Sequence, residues 1–218
     1  MKVEELKKYI CWIIVLLFSF SIDFIINLQL NTSYILRQSI IIFSWGLIFL
    51  IFYFYNAKNN LIQCQRIHFD RYFINFILFF IAIYFFLLFM RNGIFNIFSI
   101  ARWKNVKLNV ICEYEFFLYK YKSEKQFYFQ VVYYLLESVI VTCLIALFQE
   151  LGEKIINKQL PWGAMGICLT WGLIHIFSQG IIDGIFIMFI AFLLGLAYKL
   201  CNKNLLFVYL LLLNVFFM

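Results

Sequence analysis

The sequence predicts an all-α fold, a polytopic membrane bundle of about seven transmembrane helices. Hydrophobic residues make up 65% of the 218 residues, charged residues only 13%, and the mean hydropathy is +0.91. A soluble domain of this length could not cover so much apolar side chain with so few polar residues. The apolar residues also gather into sustained runs of about 15 to 25 residues, the length that a helix needs to cross a bilayer.

Seven such runs follow one another along the chain. The first is long, contains Asp23 and lacks an A-x-A-like exit, which favours a retained anchor over a cleaved signal peptide. Pro161, the only proline, ends the helix that precedes it. The last run would measure about 22 Å as a helix, which is short for a crossing. The predicted crossings are near 9–29, 35–55, 72–90, 127–149, 163–183, 184–199 and 204–218.

These runs predict one helical domain in two halves, with no flexible linker between them. Residues 1–126 form an N-terminal membrane half that ends in a basic juxtamembrane segment. Residues 127–218 form a four-helix core. Glycines concentrate in the last third of the chain, where small residues allow helices to approach one another closely.

Basic residues in the connections predict the orientation. Alternating crossings place ten of them on one side, which the positive-inside rule assigns to the cytoplasm together with the N-terminus. The stretch 99–126 carries six more basic residues yet falls on the other side. We interpret it as a segment that contacts lipid headgroups, with a re-entrant or eighth transmembrane segment as the alternative. The ten residues are Lys2, Lys7, Lys8, Lys58, Arg66, Arg71, Lys154, Lys158, Lys199 and Lys203.

The net charge of +7 is also explained by basic residues in the connections between the crossings. Lysines in the connections face anionic lipid and the cytoplasm, and no nucleic-acid partner is expected. The six cysteines are scattered and contain no C-x-x-C pair, which favours buried free thiols over disulfides or a metal cluster. The predicted location is therefore a cell membrane that the chain crosses several times, with the lipid bilayer as a partner.

Ionisable side chains inside the apolar runs are candidate functional residues, because burying one without a partner is costly. They are Asp23, Glu137, Glu150, His175 and Asp183. In the stretch TWGLIHIFSQGIID, His175, Gln179 and Asp183 lie four residues apart and would stack along one helix face. Each position also has a structural explanation. Asp23 can reach the interface, Glu137 can accept hydrogen bonds from neighbouring helices, and Asp183 can cap the sixth helix.

Three of the polar residues are predicted to share one depth in the membrane. At 1.5 Å per residue, Glu150 lies roughly 13 Å, His175 roughly 18 Å and Asn214 roughly 15 Å from the turn on the cytoplasmic side. A carboxylate, an imidazole and a carboxamide in one layer could activate water and stabilise an oxyanion. The same layer could instead be a structural polar network that ties three helices together.

The stretches QELGEK (149–154), WGLIH (171–175) and NLLFVYLLLLN (204–214) resemble the motifs of the CPBP family, the CAAX-protease and bacteriocin-processing group of intramembrane proteases. That family carries E-E-x-x-x-R, F-x-x-x-H and H-x-x-x-N on successive helices. The resemblance covers about the last third of the chain. It implies a helical membrane peptidase in which a glutamate and a histidine activate water while the last histidine and asparagine support the oxyanion.

The motifs depart from the family at four positions. Gln149 stands in place of the first glutamate, and Leu210 stands in place of the second histidine. Lys154 replaces the arginine, and Trp171 replaces the phenylalanine. Gln149 cannot take up a proton, and Leu210 can neither donate a hydrogen bond nor bind a metal. Losing one oxyanion donor alone costs ~10²–10³ in rate.

The sequence therefore supports two hypotheses. The first is a CPBP-type intramembrane endopeptidase with a divergent site. Its base is Glu150 or Glu153, His175 orients water and Asn214 holds the oxyanion of a peptide or membrane-anchored peptide substrate. The second is a pseudoprotease that binds or scaffolds a membrane protein partner. A permease subunit is a third, less favoured reading of the sequence. No cofactor is expected, and zinc is disfavoured because Glu150, Glu153 and His175 form a weak ligand set.

Overall fold

The computed structural model describes residues 3–29, 33–62, 71–89, 124–156 and 158–217. Within these ranges the chain is helical and contains no strand, which confirms the all-α prediction. Each predicted apolar run corresponds to one helix. The helices are α1 (Val3–Gln29), α2 (Tyr34–Asn59), α3 (Arg71–Phe89), α4 (Glu124–Ile155), α5 (Trp162–Ile167, a π-helical turn Cys168–Gly172, and Leu173–Gln179), α6 (Ile181–Leu200) and α7 (Leu205–Phe217).

Polar side chains at the connections fix where several helices begin and end. Ser33 precedes α2, and its hydroxyl accepts a hydrogen bond from the backbone N–H of Leu36. Asn60 ends the same helix in a left-handed conformation with a φ of 50°. The side-chain oxygen of Asn204 accepts hydrogen bonds from the backbone N–H groups of Leu206 and Phe207, which caps α7. Asparagine and serine in these short connections therefore specify the boundaries locally.

The boundary between α5 and α6 differs from the predicted one at 183/184. Gly180 ends α5 with φ 102° and ψ 168°, a conformation that is essentially limited to glycine. Asp183 consequently belongs to the first turn of α6. The expected single row of His175, Gln179 and Asp183 is wrong for Asp183, because the chain reverses between it and the other two residues.

Contacts between the connections gather them at one end of the bundle, called here the basic end. Lys154 near the end of α4 forms an ion pair with Glu5 in α1, with 2.5 Å between Nζ and Oε1. Lys199 near the end of α6 donates to backbone carbonyls of the α4–α5 turn, at Lys158 and Gln159. The contacts are completed by hydrogen bonds from Lys8 to Asn59 and from Asn75 to the carbonyl of Leu200. The helices therefore alternate in direction along the chain.

The core lies where α4 packs against α1, α2, α5, α6 and α7. Fully buried apolar side chains from five helices meet there, among them Leu16, Trp45, Leu144, Leu194 and Leu211. Large apolar side chains also cover the outer faces, with Phe43 74% and Phe177 79% exposed. The bundle is therefore apolar on the inside and on the outside, which is unusual for a domain in water.

Among the residues that the structure describes, two helices are long and apolar enough to cross a membrane by length and composition, at Tyr34–Asn59 and Lys125–Ile155. Three shorter apolar helices accompany them, at Trp162–Ser178, Gly184–Leu200 and Leu205–Phe216. Residues 99–123 of the basic stretch lie outside the described part of the structure, and so do Lys2 and Arg66.

Candidate functional site

Gln149 connects α4 to the start of α5 through both ends of its amide. The side chain is fully buried, and its Oε1 accepts a hydrogen bond of 2.9 Å from the backbone N–H of Gly163. Its Nε2 donates to the carbonyl of Leu160 at 3.1 Å and to Oε1 of Glu153 at 2.7 Å. The amide thus satisfies a backbone N–H at the N-terminus of α5, where the helix itself offers no acceptor. A carboxylate at this position would keep the acceptor and lose both donor contacts.

Glu150 and Glu153 share one cation at the basic end. The Nζ of Lys203 lies 3.0 Å from Oε1 of Glu150 and 2.6 Å from Oε2 of Glu153. Lys203 stands in the turn before α7 with a positive φ of 57°, which lets the turn reverse while its side chain reaches α4. Burial alone would lower the pKa of Lys203, but the hydrogen bonds to the carboxylates of Glu153 and Glu150 outweigh burial and raise that pKa. The lysine therefore stays charged at neutral pH and pairs with both carboxylates.

Lys154, which replaces the arginine of the resembled motif, contacts the N-terminal helix. Its ammonium donates to Glu5 and to the hydroxyl of Tyr9 at 2.8 Å, and it lies 4.6 Å from the centre of the Tyr9 ring. The lysine thus connects α4 to α1 at the edge of the bundle.

His175 belongs to a second polar group that is centred on Trp171. The indole Nε1–H of Trp171 donates to Oε1 of Glu137 at 2.9 Å. The Nδ1 of His175 lies 2.7 Å from the backbone carbonyl of Trp171. Because a carbonyl only accepts, Nδ1 must carry the proton, so the neutral imidazole keeps its lone pair on Nε2. Trp171 stands inside the π-helical turn, a feature that is frequent at functional sites.

The two groups lie at different levels of the bundle. Gln149 contacts Gly163 and Glu137 contacts Trp171, so antiparallel α4 and α5 are in register at two points. On α5, the twelve residues from Gly163 to His175 span about 18 Å. Glu150 adjoins the lower contact, whereas His175 lies one turn beyond the upper one. The prediction that Glu150 and His175 share one layer is therefore wrong, because α4 ends at Ile155, four residues earlier than the depth estimate required.

Asn214 does not complete a layer with Glu150 either. The ring of Phe216, two residues later on α7, packs on Trp171 with 6.2 Å between ring centres. Residues that are two positions apart on a helix point about 200° away from each other, so Asn214 faces away from Trp171. Its Nδ2 is buried and has no hydrogen-bond partner among the described residues. Leu210 is 40% exposed on the same helix, so the position of the expected second histidine faces partly outward.

The last two candidates, Gln179 and Asp183, are placed by their helices only. Gln179 ends α5, Asp183 opens α6, and their side chains lie outside the described part of the structure. No group of three or more His, Cys, Asp or Glu side chains that could hold a metal ion occurs in the described ranges.

Sequence reasoning missed a set of polar contacts at the end of the bundle opposite the basic end. Tyr133 donates to Oδ2 of Asp23 at 3.0 Å, and Tyr34 donates to Oε1 of Gln130 at 2.5 Å. The available signal was the spacing of Gln130, Tyr133 and Glu137 on α4, at i, i+3 and i+7, which places three polar side chains on one helix face.

No family model, curated protein or solved structure matches the chain.

Proposed function

We propose that this chain is a polytopic protein of the cell membrane, with the basic end and the N-terminus in the cytoplasm. The support is the combination of outward apolar side chains, two helices of membrane-spanning length and the lysines gathered at one end. Cytoplasmic loops carry an excess of lysine and arginine because basic segments resist translocation.

Labelling of single cysteines tests this topology. In a cysteine-free background, a membrane-impermeant maleimide should modify Ser33→Cys in intact cells and should modify Lys158→Cys only after the cells are permeabilised. Both positions are exposed, so accessibility does not distinguish them. Labelling of Lys158→Cys in intact cells, or release of the protein from membranes by alkaline carbonate, would contradict the proposal.

Within the membrane, we propose that the chain acts as a CPBP-like pseudoprotease, a scaffold that binds a membrane protein or peptide without cleaving it. One observation carries the proposal: the carboxylate of Glu150 is paired with Lys203, about 18 Å along the bundle from the level of His175, which lies twelve residues after the Gly163 that Gln149 contacts. A general base must come within hydrogen-bond reach of the water that it activates. A glutamate that is paired with a lysine and lies that far from the imidazole cannot act together with His175.

The remaining motif positions have structural partners that account for their presence. Gln149 holds the N-terminus of α5, and Lys154 holds α1 against α4. The Gln149 contact joins two consecutive helices and the Lys154 contact joins two that are distant in sequence, and such contacts hold the bundle of a binding scaffold together.

A divergent endopeptidase is the second candidate, because one observation favours it. The Nε2 lone pair of His175 is available to accept a proton, as a general base requires. In this candidate His175 acts with Glu137, the carboxylate that shares Trp171 with it, instead of with Glu150.

Cells that carry His175→Ala distinguish the two candidates. We expect the membrane-protein and secreted-peptide termini of these cells to match those of cells with the native chain, and any growth defect of a deletion strain to be restored. Glu150→Gln, which keeps the hydrogen-bond acceptor, is the matched control at the basic end. Loss of specific peptide termini in the His175→Ala cells, at equal protein level, would identify an endopeptidase.

A further inference from the structure

Three aromatic rings meet where α1 and α2 lie side by side near the basic end. The ring of Trp12 in α1 lies 5.1 Å from that of Phe52 and 5.1 Å from that of Tyr55, both in α2. Trp12 and Tyr55 are only half-buried, so each is partly open to the outside of the bundle. Tryptophan and tyrosine concentrate at the depth where the hydrocarbon of a bilayer meets the headgroups. These rings therefore mark the expected depth of that boundary on α1 and α2.

Lysines lie one helical turn beyond these rings, toward the basic end. Lys8 precedes Trp12 by four residues on α1, and Lys58 follows Tyr55 by three residues on α2. The ammonium of Lys8 donates to the side-chain oxygen of Asn59 at 3.3 Å, so the two helix ends are in contact. One turn measures about 6 Å, which is comparable with the thickness of the headgroup layer. Both lysines therefore lie at the expected depth of the lipid phosphates.

The exposed charges at this edge of the basic end are mainly positive. Glu5, the nearest partly buried acid, is already paired with Lys154. An excess of lysine at this depth attracts the anionic headgroups of the cytoplasmic leaflet. The exposed charged side chains that the structure describes at the edge are three lysines and one glutamate, namely Lys7, Lys8, Lys58 and Glu4.

Exposed apolar side chains continue from the lysines toward the middle of both helices. Phe18 follows Lys7 by eleven residues on α1, which is three helical turns, so the two share one face. Leu47 precedes Lys58 by eleven residues on α2 and shares its face in the same way. Phe18 is 57% exposed and Leu47 is 50% exposed. Each helix therefore presents a face that is basic at one end and apolar below it.

The two faces lie on the same side of the bundle, away from α4. Tyr9, two residues after Lys7, contacts α4 through the ammonium of Lys154. Trp45, two residues before Leu47, packs on a tyrosine ring of α4. Because residues that are two positions apart on a helix point in nearly opposite directions, Lys7 and Leu47 face outward. The faces thus flank one outer groove, called here the α1–α2 groove, with Trp12 and Tyr55 between its walls.

We propose that the α1–α2 groove binds one anionic phospholipid of the cytoplasmic leaflet. Lys8 and Lys58 contact the phosphate, Trp12 and Tyr55 lie at the level of the glycerol, and the acyl chains lie on the apolar faces below. The proposal rests on the proposed topology, which places the basic end in the cytoplasm. It does not depend on whether the chain is a scaffold or an endopeptidase.

Native mass spectrometry of the purified full chain in detergent tests the site. With equal amounts of phosphatidylglycerol and phosphatidylcholine that have the same acyl chains, we expect bound phosphatidylglycerol to predominate. Each lysine near an anionic lipid contributes about fivefold in affinity, so Lys8→Gln with Lys58→Gln should weaken phosphatidylglycerol binding by roughly thirtyfold. The matched control is Lys125→Gln with Lys158→Gln, which removes two exposed lysines outside the groove and should retain the preference.

Three results would overturn the proposal. The first is equal binding of the two lipids by the native chain, and the second is an equal loss of binding in both double variants. The third is displacement of the lipid by inorganic phosphate at the same concentration, which would show that the acyl chains contribute nothing. A chain that resists alkaline carbonate extraction but shows no lipid preference would exclude the site and leave the membrane topology standing. A phosphatidylglycerol preference together with labelling of Lys158→Cys in intact cells would support the site and contradict the topology.

Discussion

Replacing Gly195 with alanine is expected to cause the largest loss of stability of any glycine-to-alanine change at the described glycines. A Cβ at this position would lie 2.2 Å from the Cα and 2.3 Å from the N of Ala164, and 2.7 Å from the carbonyl carbon of Gly163. All three are backbone atoms, so no side-chain rotation can relieve the collision. Helices α5 and α6 would have to move apart, at a cost of ~1–3 kcal/mol or more.

The same substitution at Gly46 is the matched control. Gly46 also lies within a helix, but a Cβ there would meet no atom within 4 Å. Because alanine is a better helix former, Gly46→Ala should leave stability unchanged or raise it by up to ~1 kcal/mol. The midpoint of unfolding in a detergent titration measures both variants. A Gly195→Ala protein as stable as Gly46→Ala would show that α5 and α6 do not cross as closely as described.

Changing Gln149 to leucine is the second substitution with a large expected effect. Leucine has a similar volume but removes the acceptor of the Gly163 N–H and the donor to the carbonyl of Leu160. Each buried backbone group left without a partner costs ~1–3 kcal/mol. The α4–α5 turn should consequently become more accessible to proteases and the unfolding midpoint should fall. Gln159→Leu makes the same chemical change at an exposed position of that turn, so it should have little effect.

Gln149→Glu distinguishes this structural role from a lost catalytic one. A carboxylate would face Oε1 of Glu153 and the carbonyl of Leu160 with no hydrogen to donate. We therefore expect Gln149→Glu to destabilise the chain at neutral pH, and Gln149→Glu combined with Leu210→His to produce no peptidase activity. A stable double variant that cleaves a membrane-anchored peptide would show that Gln149 replaced a catalytic glutamate in a site that is otherwise intact.

The positions of the helices were predictable because their signals are local. Long apolar runs separated by lysines identified each helix, and Pro161 marked the connection before α5. The break at Gly180 was placed three residues late. An isolated glycine within an apolar run does not reveal its φ, and only the reversal of the chain requires the positive value of 102°.

The candidate site was only partly predictable, because it depends on the relative depth of three helices. The sequence alone determined an all-helical chain, the gathering of lysines in particular connections and the presence of acids and an imidazole within apolar runs. The tertiary structure decided which of them meet: Glu150 pairs with Lys203, and His175 joins Glu137 through Trp171. The physical reason is that each residue advances a helix by about 1.5 Å and turns it by about 100°. An error of four residues at the end of α4 therefore moves a carboxylate by about 6 Å along the bundle, although four residues complete nearly one turn and leave it on the same face of the helix.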